Sequence, residues 1–156
     1  MPASQRRRLF LGWVALVLTV AGSVWWGIHP PRDTEGYRGE SVRTLQMLRS
    51  HVETARLWAE GVEDDRVLRT AASVGLTEAS TDADMQSSHY SSLDPGDRES
   101  DRIWRKVSAL ADEAASALSD VRVDARVGRW HEVVAALPRL ARLSDSLREL
   151  ELEVRR

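Results

Sequence analysis

Leu9 to Ile28 reads LFLGWVALVLTVAGSVWWGI, twenty consecutive residues without a charged side chain. No other feature of this chain limits its fold so strongly. At 1.5 Å per residue a helix of that length spans roughly 30 Å, the thickness of a bilayer's hydrocarbon core. In lipid every backbone N–H and C=O needs an internal partner, and a helix supplies them all. The sequence therefore predicts a transmembrane helix over 9–28. Arg6, Arg7 and Arg8 precede it, and Trp13, Trp25 and Trp26 complete the anchoring set, because indole rings favour the membrane interface. Pro30 and Pro31 end the run, since proline lacks the N–H and clashes with the preceding turn.

The compact basic stretch before the run predicts a cytoplasmic tail over 1–8 and an extracytoplasmic remainder. Arg32, Arg38 and Arg43 on the other side keep the charge bias small, so an inverted anchor stays open. So does a cleaved signal. Ala21-Gly22-Ser23 offers small residues to a signal peptidase, and Arg7-Arg8-Leu9-Phe10-Leu11 has part of a twin-arginine pattern. The length of the apolar run favours the uncleaved anchor, because a cleaved h-region has typically 7–15 residues.

The charge balance divides at the same place. Residues 1–32 carry four arginines and no acid, while the remainder carries 18 basic and 24 acidic residues, a net charge of 18 − 24 = −6. The chain contains no cysteine, which excludes disulfides, thiolate metal sites and a thiol nucleophile. The acidic remainder argues against nucleic acid as a partner.

Residues 29–39, HPPRDTEGYRG, read as a linker, with two prolines and two glycines and no apolar period. Residues 40–156 read as a helical bundle. Val42, Leu45, Leu48, Val52, Ala55, Ala59 and Val62 recur at three- and four-residue spacings, which makes one apolar stripe on a helix. The stripe resumes at Val67, Ala71, Val74 and Ala79. Gly61 costs only about 1 kcal/mol against alanine, so one long helix over 40–84 is expected, with a break near Gly61 as the alternative. Residues 85–96 read as a loop, with Asp94 suited to cap the next helix and Pro95 to open it. That helix, 97–127, carries Ile103, Val107, Leu110, Ala114, Ala117 and Val121, widened by Leu118 and Ala125, and Gly128 suits its end. The last helix, 130–155, carries Val133, Leu137, Leu140, Leu143, Leu147, Leu150 and Val154. Pro138 inside it predicts a kink, or else a break after a short helix. The fold class is therefore all-α: one transmembrane helix followed by an antiparallel three-helix bundle, or a four-helix bundle if the chain breaks near Gly61. The alanines Ala111, Ala114, Ala115 and Ala117 make the core thin and point to modest stability or self-association.

Motifs for chemistry are few. The four histidines show neither His-x-x-x-His nor Glu-x-x-His spacing, so no helix-borne metal site is expected. Asp82, Asp84 and His89 read better as a polar helix end than as a metal site. Asp94, Asp97, Glu99 and Asp101 read better as complements to a helix dipole than as paired acid–base carboxylates. Ser87 to Ser92 surround His89, but adjacency in a loop is not a nucleophile–base geometry. No P-loop, Gly-x-Ser-x-Gly or dinucleotide-binding fingerprint occurs, so neither catalysis nor a cofactor is expected. Trp58, Trp104 and Trp130 either cap the thin core or form a partner-binding patch, since tryptophan is favoured in binding hot spots.

With one span, arginine-rich helices and Lys106 as the only lysine, the layout resembles small single-pass membrane proteins of actinobacteria. The resemblance implies a membrane location and brings no activity with it. The expected function is a membrane-anchored, extracytoplasmic interaction or scaffold module that meets a protein partner or itself through its helical seams. The alternative is a small-molecule-sensing bundle that signals through a partner, by fold-level analogy.

Overall fold

The computed structural model describes residues 34–156. The predicted span over 9–28, its anchoring residues, the 1–8 tail and the first part of the linker lie outside the described residues. Every regular element within them is helical: α1 Thr34–Glu63, α2 Arg69–Ser91, α3 Arg98–Arg126, α4 Trp130–Ala135 and α5 Leu137–Val154. No helix among the described residues is long and apolar enough to cross a membrane. Only Ala136 separates α4 from α5, so the two fill one position and the bundle has four.

The chain runs up, down, up and down. α1 packs against every other helix, α2 packs on α1 and α3, and α5 lies on α1 with a lighter edge against α3. The core is built from Leu45, Leu48, Val52, Leu76, Val107, Leu118, Leu140 and Leu147, all fully buried, with alanines between them. Such a core approaches closely but offers little apolar area per residue.

The expected single helix over 40–84 is corrected: the chain breaks at 64–68. Asp65 adopts φ 53°, the left-handed region. The Asp65 N–H donates to the Val62 carbonyl (3.2 Å) and the Arg66 N–H to the Gly61 carbonyl (2.8 Å). This is the double reverse bond of a Schellman motif, with aspartate in place of the usual glycine. Gly61 itself stays inside α1, where a Cβ would meet the Val67 side chain at 2.9 Å. The same motif ends α3. Gly128 adopts φ 78°, its N–H donates to the Ala125 carbonyl (3.2 Å), and Arg129 N–H donates to the Asp124 carbonyl (2.9 Å). There the Arg129–Asp124 ion pair takes the place of the apolar contact that often accompanies such an end.

The break resets the helical phase, so the predicted stripe of α2 is corrected too. Ala72, Leu76, Ala79 and Ala83 are buried, while Ala71 and Val74 are exposed and Val67 lies half-buried in the connection. Three boundaries also move. α1 begins at Thr34, within the expected linker, because Tyr37 is buried against Tyr90 with ring centroids 6.1 Å apart. α2 continues through the expected loop to Ser91, because Ser87 and Tyr90 are buried and the Tyr90 and Ser41 hydroxyls bond at 2.7 Å. Burial raises the Tyr90 phenol above its ordinary pKa, against the lowering effect of its Ser41 and Tyr37 hydrogen bonds. Asp97, not Asp94, caps α3 by accepting from the Glu99 N–H (2.8 Å) and Ser100 N–H (2.9 Å). Near Pro138 the chain breaks after a short helix, since proline cannot donate to the Val134 carbonyl.

Candidate interaction surface

The polar groups of the bundle show which seams are closed. Between α1 and α2, Gln86 Nε2 donates to Thr44 Oγ1 (3.1 Å), and Trp58 packs on Gly75, where a Cβ would come within 2.1 Å of the indole nitrogen. Between α2 and α3, the Ser87 hydroxyl donates to Asp112 (2.7 Å). Between α1 and α5 a buried carboxylate, Glu151, accepts from Gln46 (2.8 Å), Arg155 (2.7 Å) and Arg49 (3.4 Å). Burial opposes its charge, but the Gln46 hydrogen bond, Arg155 and Arg49 together outweigh that and hold the carboxyl below its ordinary pKa. One turn pair further up, the Ser144 hydroxyl donates to Glu53.

The α3–α5 seam is different. Two ion pairs cross it, Lys106–Glu153 and Asp120–Arg139, fourteen positions apart on each helix. Above and below, the helices part. The upper groove, about 450 Å³, has Val121, Ala136 and Leu140 in its wall and Asp124, Arg129 and Glu132 at its rim. The lower, about 160 Å³, lies between Ile103, Leu150 and Val154 with Arg102 and Glu153 beside it.

The outer face of α1 and α2 carries the strongest unassigned feature. The charged residues of α1 between Met47 and Gly61 are Arg49, Glu53, Arg56 and Glu60. All four lie on the α5 side: Arg49 and Glu53 contact α5 residues, and Arg56 bonds Glu53 and Glu60 along the helix. The side toward α2 presents Met47, His51, Thr54 and Trp58, with Ser50 and Leu57 between that side and the charges. On α2 the pattern continues. No lysine or arginine occurs between Thr70 and Asp97, although the chain has 22. The outward line of α2 is Ala71, Val74, Glu78, Thr81 and Met85, with Asp82 beside it. Thr77 and Thr81 turn their hydroxyls to the Ser73 and Thr77 carbonyls (2.7 and 2.8 Å), which leaves methyl groups outward. Four large apolar side chains stand open here: Met47 at 39%, Leu57 at 64%, Val74 at 56% and Met85 at 59% exposure. Single exposed hydrophobes are ordinary, but four on two adjacent helices with few charges between them make a patch.

The predicted candidates separate. Trp58, Trp104 and Trp130 are all half-buried against the core. Trp58 lies toward the upper end, beside Gly75, whose neighbour Val74 borders the same hollow as Arg122 of α3. Trp104 lies toward the lower end, about 27 Å away along α3 at 1.5 Å per residue. The three therefore form no single patch, and only Trp58 borders the open face. Asp82, Asp84 and His89 all fall on α2, with His89 Nε2 3.8 Å from Glu40. Among the described residues no group of three such side chains is placed to hold a metal ion. The acidic run at the start of α3 divides its work: Asp97 caps, Glu99 pairs with Arg38, and Asp101 pairs with Arg105. The open face lies away from the apolar stripe of α1, and on α2 it takes in Ala71 and Val74, which the sequence assigns to the core. The gap in basic residues after Arg69 is the signal that marks it. Compared with known protein families, with curated proteins and with solved structures, the chain matches none of them.

Proposed function

We propose that this chain is a membrane-anchored helical interaction module: 9–28 forms the span, 1–8 lies in the cytoplasm, and the bundle stands outside with the α1–α2 face as its docking surface. The observation that carries the docking reading is that face, four exposed apolar side chains on two helices, with the α1 charges between Met47 and Gly61 gathered toward α5. The anchor reading rests on the uncharged twenty-residue run and the arginines before it. Two measurements test the proposal. A tag after Arg156 is expected to be protected from protease in sealed inside-out vesicles, and its digestion there refutes the orientation. Cross-linking in native membranes is expected to capture a protein through the α1–α2 face, with capture lost in Val74→Asp. Capture that survives this substitution moves the docking surface elsewhere.

The upper α3–α5 groove favours a second reading, a bundle that senses a small polar molecule and signals through a partner. Its lining combines three acids with two arginines, which suits a zwitterion. A ligand that raises the unfolding midpoint of the wild type but not of Arg139→Ala supports this reading.

A further inference from the structure

We propose that the open face of α1 and α2 is covered by the same face of a second copy, related by a two-fold axis parallel to the helices. The inference deepens the interaction-module reading and rests on it for the docking surface. The argument is one of register. Ser41 meets Tyr90, Thr44 meets Gln86 and Trp58 meets Gly75. By interpolation, Met47 lies level with Met85, and Leu57 lies level with Val74. The four exposed hydrophobes therefore form two layers, about 15 Å apart on each helix.

A two-fold axis parallel to the helices preserves height and sets α1 of one copy against α2 of the other. Met47 then meets Met85 of the second copy, and Leu57 meets its Val74. Between the layers α2 carries the only charges, Glu78 and Asp82. At those heights α1 offers Thr54, Ser50 and His51, all of which can donate to a carboxylate. Each acid thus faces a donor and not another acid. An axis across the helices sets α2 against α2 and brings Glu78 of one copy to Asp82 of the other, two like charges in the middle of the interface.

The patch measures roughly 20 Å by 20 Å, from helix rise and interaxial spacing. The pair buries on the order of 1,000 Å², the low end for a specific interface. Such a dimer is weak in bulk solution and gains from confinement, because tethering raises effective concentration.

The chain has no cysteine, so introduced ones report without background. Full-length Leu57→Cys and Val74→Cys chains are co-expressed and their membranes oxidised. The expected product is a disulfide-linked pair of the two chains, identified by mass. The control pair, Val123→Cys with Leu152→Cys, uses residues of similar exposure on α3 and α5 and is expected to give none. Adding Val74→Asp to both chains of a Met47→Cys and Met85→Cys pair is expected to cut the linking of that pair at least tenfold while circular dichroism stays helical. Equal linking in the control pair, or no Leu57–Val74 pair in helical protein, overturns the dimer. Linkage of those cysteines to a different protein also overturns it, but leaves the interaction-module reading standing.

Discussion

Gly75 decides whether the α1–α2 seam is built as described. Replacing it by alanine sets two effects of opposite sign against each other. Alanine favours the helix by about 1 kcal/mol over glycine. Its Cβ, however, would lie 2.1, 2.3 and 2.8 Å from the Nε1, Cε2 and Cδ1 atoms of Trp58. Carbon contacts settle at about 3.5–4 Å, so the indole must move by roughly 1.5 Å or more. Overpacking of this kind costs typically 1–3 kcal/mol. Taking about 2 kcal/mol for it, Gly75→Ala destabilises the bundle by about 1 kcal/mol net. With Trp58→Ala already present the obstacle is gone and only the propensity gain remains, so the same substitution stabilises by about 1 kcal/mol. The predicted coupling is therefore about 2 kcal/mol, a size expected only of residues in contact. The assay is urea unfolding of the full chain and three variants, followed by circular dichroism because Trp58 is itself a fluorescent reporter. An unchanged slope against denaturant confirms that stability alone has moved. If Gly75→Ala stabilises equally in both backgrounds, Trp58 does not rest on Gly75 and the register behind the open face fails.

Three further predictions follow from helix ends and from the buried acid. Asp65→Gly is expected to stabilise by about 0.5–1 kcal/mol in urea unfolding, because it relieves a left-handed residue, whereas Gly128→Ala in open space is expected to destabilise by a similar amount. The Asp97 carboxyl is held at about 2, first by the Ser100 N–H and then by the Ser100 and Thr34 hydroxyls, against an ordinary value of 3.8. A depressed carboxylate contributes stability above its unfolded value and loses it as pH falls through the folded one. Helix content is therefore expected to become more acid-sensitive between about pH 4 and pH 2, and Asp97→Asn is expected to flatten that dependence. Glu151→Ala leaves Gln46 and Arg155 without their acceptor and is expected to cost about 2 kcal/mol, while Glu151→Met is expected to recover most of it.

The helices that sequence alone located well are those with large residues on one side. In α3, Val107, Leu118 and Val121 contrast with Arg102, Arg105 and Glu113, and the predicted bounds of 97–127 differ from the observed Arg98–Arg126 by one residue at each end. α2 lacks that contrast. Its buried face is Ala72, Gly75, Leu76, Ala79, Ser80 and Ala83, and its exposed face includes Ala71, Val74 and Thr81. Neither face is distinctly more apolar than the other, so the period carries almost no phase information. Phase was instead carried across 64–68 from α1, and the left-handed Asp65 broke that continuity. Aspartate is tolerated there but is not a stop that sequence announces as Gly128 does. What fixes the phase of α2 lies elsewhere in the chain. Gly75 must face α1 because Trp58 needs a place without a Cβ, and Tyr90 must face it because its hydroxyl meets Ser41. Once those two contacts set the rotation, Val74 and Met85 have no core position left and must point outward. The open apolar face is thus a consequence of one tryptophan pairing with one glycine across the α1–α2 seam, and no window of local sequence contains it.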